Sequence, residues 1–109
     1  MGNDEALSMK KKTYTVQGKV WLYPGENASW HFVNVPKKES AEIKAAFGDK
    51  SKGWGSIPVS VTVGKTTWDT SLFPDKRSAS YLLPLKATVR TKEGIREGSA
   101  LTFAMKVKI

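Results

Sequence analysis

Lys86 and Arg90 stand four residues apart in the closing stretch 83–109, LPLKATVRTKEGIREGSALTFAMKVKI, just after Pro84. Proline suits a first helical position, where its missing N–H would be unpaired anyway, so a short helical turn is expected over about 84–91. A spacing of four then puts both cations on one helix face. Two like charges side by side repel unless an anion sits with them. Two readings follow: solvated charges on a short surface helix, or an anion site. As a site, the pair would draw on Lys76 and Arg77 for charge and on Trp54 and Trp68 for stacking faces, the combination by which single strands and small anions are held. Trp54 lies in a loop between Gly53 and Gly55, is expected to be exposed, and is the first candidate for ligand contact. Asp69, beside Trp68, is a candidate ion-pair partner for Lys86 or Arg90. The structural alternative for the tryptophans is core and cross-strand packing.

Catalysis needs an acid, a base or a nucleophile in a protected place. The single histidine, His31, falls between Trp30 and Phe32 and reads as a packed or half-exposed strand residue. The sequence has no cysteine, which excludes disulfides, thiolate chemistry and cysteine zinc sites. One histidine and scattered carboxylates are too few ligands for a metal site. There is no phosphate loop and no nucleophile elbow. No catalytic residue, metal site or cofactor is therefore assigned, and an enzyme ranks below a binding module.

The 109 residues suit one domain, able to bury about two-thirds of its unfolded surface. The apolar fraction of 39% fits a globular chain. The formal net charge of +8 favours nucleic acid, a membrane surface or acidic ligands as partners. The lysines come in small groups along the chain, so a solvated basic surface is the competing reading. No apolar run approaches the roughly 20 residues of a membrane helix. The start, Met1-Gly2-Asn3-Asp4-Glu5, lacks the basic and apolar regions of a secretory leader. A cytoplasmic protein without a membrane partner is the expectation.

Patterning places the candidate residues on a mainly β chain. Residues 1–12 read as a tail and 13–109 as one β-barrel domain. A first strand spans about 13–23, with Gly18 on its apolar face marking a bend or a close backbone approach. Pro24 to Asn27 is a turn by composition. A second strand, 29–35, is apolar on both faces (Trp30 and Phe32 against Val33 and Val35), which predicts a wall covered from outside. Lys37 to Phe47 is a helix with a narrow stripe of Ser40, Ile43, Ala46 and Phe47, suited to capping a core. Ile57–Val63 and Thr66–Phe73 form a hairpin across Gly64-Lys65, glycine first as a type II′ turn requires. Pro74 to Ala79 reads as a polar loop and Ser80–Leu85 as a short strand. From Leu101 to Ile109 apolar residues strictly alternate with Thr102, Ala104, Lys106 and Lys108, the period of a half-buried strand. The expected fold is a small six-stranded split β-barrel with one capping helix at 37–47 and a short helical turn at 84–91.

Trp30 to Pro36 leading into a helix, the glycine-turn hairpin, and Leu83-Pro84-Leu85-Lys86 followed by Arg90, Gly94 and Gly98 resemble the family of small bacterial and archaeal proteins called domain of unknown function 1905. The family is often associated with a helical bacteriocin-protection, YdeI/OmpD-associated domain. The resemblance covers most of the chain after the tail and implies a small barrel of the split kind. It also implies a partner, a fused neighbour now acting in trans. The family pattern usually has an acid after the second glycine; Ser99 stands there, which leaves that acid's role without a residue. A shorter likeness, a basic pair and a glycine followed by Arg96-Glu97-Gly98, is similar to AbrB-type regulators, which bind DNA as dimers. The functional expectation is a small non-catalytic module for an anionic ligand or a partner protein. The alternative is a nucleic-acid-binding regulator.

Overall fold

The computed structural model describes residues 12–25 and 30–109. The expected tail, apart from Lys12, lies outside the described residues, as do Glu26, Asn27 and Ser29. Among the described residues, seven strands and two α-helices follow in chain order, with short 3-10 turns at Gly48–Lys50 and Gly53–Gly55. They are β1 (Thr13–Lys19), β2 (Trp21–Leu22), β3 (His31–Asn34), α1 (Lys37–Phe47), β4 (Ile57–Val63), β5 (Thr66–Asp75), β6 (Ser80–Pro84), α2 (Ala87–Glu93) and β7 (Ala100–Val107). All pairings are antiparallel, in the order β1-β7-β4-β5-β6-β3-β2. The expected first strand is thus two, parted by Val20. That residue is buried, its N–H donates to the Ser99 carbonyl at 2.9 Å, and its carbonyl accepts from the Gly98 N–H at 2.8 Å. β1 and β2 are the two ends of the sheet yet neighbours in sequence, so the sheet must curl, and it forms a half-barrel.

Curling turns one face of nearly every strand inward. Val59, Val61, Leu83, Phe103 and Met105 are at most 1% exposed, and Ile43 and Phe47 of α1 complete the same core. Helix α1 has the expected bounds, and its Ser40 is spent on the fold. The Ser40 hydroxyl donates to the Val35 carbonyl at 3.0 Å and accepts the Tyr81 N–H at 3.0 Å. β5 runs two residues further than expected, through Pro74. Its pairing with β4 ends at Leu72, so the missing N–H of Pro74 leaves no gap in that ladder. β7 lies between β1 and β4, inside the sheet. The Gly64 φ of +55° with an ordinary φ at Lys65 is the type II′ hairpin.

Three expectations change. The short helix begins at Ala87, because Pro84 is still paired with Phe32 and the Leu85 N–H still donates to the His31 carbonyl at 2.9 Å. The described residues form seven strands, not six. The wall expected to be covered on both sides is open on one. Trp30 is 60% exposed and Tyr23 46%, because α1 packs on the inner side, where its Ile43 and Phe47 join the core. No described helix is long and apolar enough to cross a membrane.

Gly18 is a point of close approach, the second of the two readings its place in the pattern left open. A β-carbon there would lie 2.6 Å from Val33 Cγ2 and 3.0 Å from the Asn34 carbonyl oxygen. Replacing Gly18 by Val is expected to lower the unfolding free energy by about 1–3 kcal/mol through overpacking, read as an earlier urea midpoint. A pH effect follows from burial. Desolvation raises the pKa values of the Tyr14 and Tyr81 hydroxyls, and Tyr14 Oη has no hydrogen-bond partner among the described residues. The unfolded chain therefore loses these protons first, and the stability they contribute declines as pH rises above the ordinary value near 10.0. The Lys12 ammonium is raised mainly by its hydrogen bond to Glu42, and its contribution too is lost as pH rises through its folded value. The urea midpoint should hold from neutrality to about pH 9 and fall above about pH 10.

Candidate ligand-binding groove

β5 serves two partners in succession. It pairs with β4 through Leu72 and with β6 only from Phe73 to Asp75. β6 then leaves it, pairing with β3 from Leu82 to Pro84. The fork between the diverging strands is a groove of about 420 Å³. Trp68 and Asp69 line it from β5, Lys86 and Arg90 from the entry to α2, and Trp30 and His31 from the start of β3.

Backbone bonds hold these side chains in place. The His31 carbonyl accepts from Leu85 at 2.9 Å, tying β3 to the segment that leads into α2. Lys86 caps α2, and its carbonyl accepts the Arg90 N–H at 3.1 Å, so the two residues sit one turn apart. Arg90 Nε donates to the Leu85 carbonyl at 3.0 Å. That bond fixes the guanidinium through one nitrogen and leaves its two terminal amino groups for other acceptors. Asp69 pairs with neither cation. It accepts from Lys108 Nζ at 2.7 Å, an ion pair whose side chains are 48% (lysine) and 64% (aspartate) exposed. The strand register explains this: Asp69 lies opposite Ser60, which lies opposite Lys106, two residues before Lys108. Among the described residues neither Lys86 nor Arg90 has a carboxylate within ion-pair distance. The groove therefore holds two uncompensated cations and one carboxylate already neutralised from its far side.

Of the seven residues singled out in the sequence, Lys86, Arg90, Trp68 and Asp69 meet at this groove, and Trp54, Lys76 and Arg77 do not. Trp68 is only 8% exposed and belongs to the core, so it offers the groove an edge and not a stacking face. Trp54 is 92% exposed, as its glycine neighbours suggested, but lies in the turn Gly53–Gly55 with φ +65°. The next residue, Gly55, lines a separate hollow of about 550 Å³ between α1 and the β5–β6 turn, together with Lys44 and Lys76. Arg77 is exposed in that turn. The cations thus divide between two places, because the β5–β6 turn and the start of α2 lie at opposite ends of β6. Trp30 and His31 were not singled out as ligand residues. The sequence carried no signal for Trp30: one strand was expected over about 13–23, and only the structure reduces β2 to two residues beside it.

The family model described as a domain of unknown function (DUF1905) matches residues 17–105. The chain belongs to the DUF1905 family. The match runs from within β1 to within β7, so the DUF1905 region takes in strands β2 to β6, most of β7, both helices and every residue of the groove. No curated protein matches the chain.

The two kinds of polar contact at the groove should separate on mutation. Lys108→Ala removes an exposed ion pair and is expected to change stability by no more than about 0.5 kcal/mol. Arg90→Ala removes a half-buried stem and a bond to the backbone and should cost about 1 kcal/mol. Urea unfolding of the two variants checks the contrast.

Proposed function

We propose that this protein is a non-catalytic binding module that takes an anionic ligand in the groove at the β5–β6 fork. The observation that carries this reading is the pair Lys86 and Arg90, one helical turn apart at a common groove, neither of them ion-paired among the described residues, while the groove's one carboxylate, Asp69, is paired with Lys108. Their mutual repulsion is relieved when an anion enters between them. Arg90 contributes the two terminal amino groups that its backbone bond leaves open, and a bidentate contact to phosphate or carboxylate oxygens uses both. Lys86, an exposed ammonium, acts as a mobile point charge. Trp30 supplies an exposed aromatic wall, and Trp68, Pro84 and Leu85 give the groove an apolar floor. Asp69 carries no acid–base role in this reading, since Lys108 holds it as an ion pair. We read the protein as cytoplasmic, in keeping with a sequence free of cysteine.

Tripolyphosphate is a suitable probe, because it offers several anionic oxygens and no ring. Titration followed by tryptophan fluorescence is expected to saturate, with Trp30 and Trp68 both at the groove. Changing Lys86 and Arg90 together to alanine should weaken binding at least about tenfold, given roughly 1.5–3 kcal/mol for each charge-assisted hydrogen bond. Unaltered affinity in the double variant would remove the groove as the site.

A further inference from the structure

Trp30 belongs to two surfaces at once. It lines the cationic groove, and its ring lies parallel to that of Phe32, with 6.3 Å between centroids and 8° between planes. Phe32 in turn meets Trp21 at 5.4 Å and Tyr23 at 6.0 Å. These four rings share the outer face of β2 and β3, since Trp21 stands directly opposite Phe32 and Trp30 and Tyr23 lie two residues from them. The face continues over β6 to β5, where Leu82 pairs with Phe73, itself 39% exposed. A polar chain fixes its inner border: Trp21 Nε1 donates to Asn34 Oδ1 at 2.6 Å, and Asn34 Nδ2 donates to Ser80 Oγ at 2.9 Å. The rings are therefore held in place, yet Trp30 at 60%, Tyr23 at 46% and Phe73 at 39% remain in contact with solvent.

We infer that this outer sheet face binds single-stranded nucleic acid, with bases stacking on Trp30 and Tyr23 and the backbone phosphates passing into the Lys86–Arg90 groove. Three observations select this occupant. Trp30 is backed on one side by Phe32 and exposed overall, which presents an indole π-face already ordered for stacking; every base has a matching face. The aromatic face is continuous with uncompensated cations through Trp30 itself, so rings and phosphate contacts lie within one ligand's reach. The chain carries a net charge of +8, which attracts a polyanion and opposes a second copy of itself. Aromatic side chains on neighbouring strands of an open sheet face are the arrangement by which sheets hold splayed bases. A duplex keeps its bases stacked on one another and cannot use such a face.

The inference rests on the groove reading for its phosphate contacts, and the test separates the two. A fluorescein-labelled oligothymidylate of about twelve nucleotides, within the length a single small domain covers, is titrated by anisotropy at about 50 and about 200 mM salt. Tripolyphosphate is titrated in parallel. The oligonucleotide is expected to bind more weakly at the higher salt and to bind better than the matching duplex. Trp30→Ala should weaken oligonucleotide binding by roughly 5- to 150-fold, the range for one stacked base, without changing the salt slope. The Lys86→Ala, Arg90→Ala double variant should reduce that slope by about 1.4, two phosphates' worth for a single strand. Both variants alter exposed or half-exposed residues, and far-UV circular dichroism verifies their fold. Tripolyphosphate binding without oligonucleotide binding overturns this inference and leaves the groove standing; binding of neither overturns both. Oligonucleotide binding indifferent to Trp30→Ala, or equal affinity for the duplex, overturns the stacking face. So does concentration-dependent dimerisation that Trp30→Ala abolishes, since a second copy would then occupy it.

Discussion

The contact between Gly18 and β3 is the constraint on which the rest of the molecule depends. β1 is hydrogen-bonded along β7, and at Gly18 its backbone also lies against Val33 and the Asn34 carbonyl, with no room for a side chain. Three residues later, after the break at Val20, the same chain pairs with β3 as β2. One continuous segment thus forms both ends of the sheet. Its close approach sets how tightly the sheet curls, and the curl sets the volume that Ile43, Phe47, Phe103 and the valines of β4 must fill. The glycine has an ordinary backbone conformation, so the requirement at this position is for space.

The curl also creates the groove. A strand that belongs to one half of a curled sheet and then to the other must leave a neighbour behind, and β5 does so at Leu72–Phe73. The fork that results is lined by whatever the strand ends and the following helix bring to it. Here these are an arginine anchored through one nitrogen, a lysine at the helix start and two tryptophans of opposite character. Trp68 faces the core and stabilises the fork, whereas Trp30 stands at the margin and is free to meet a ligand. Shortness at the edge has the same consequence on the outer face. β2 offers two paired residues, neither described helix covers β3 from outside, and an aromatic cluster that would be core in a thicker protein stays in contact with water.

Strand alternation from Leu101 onward, the glycine-first hairpin, the helix from Lys37 to Phe47 and the special place of Gly18, as a bend or a close approach, were all legible in the sequence. Each rests on a local rule: a period of two or of 3.6, or an unusual residue within a regular pattern. The convergence of Lys86 and Arg90 was legible for the same reason, since residues four apart are neighbours in any helical turn. What the residues alone determined, then, was element type, the likeness to the DUF1905 family and a pair of neighbouring cations. The tertiary structure decided the rest, because it turned on pairings between residues far apart in sequence. Register gave Asp69 to Lys108 across β4, sent Trp54 and Arg77 away from the groove and brought Trp30 to it. Which face of β3 was covered depended on where α1 packed, and no period in the sequence carries that information.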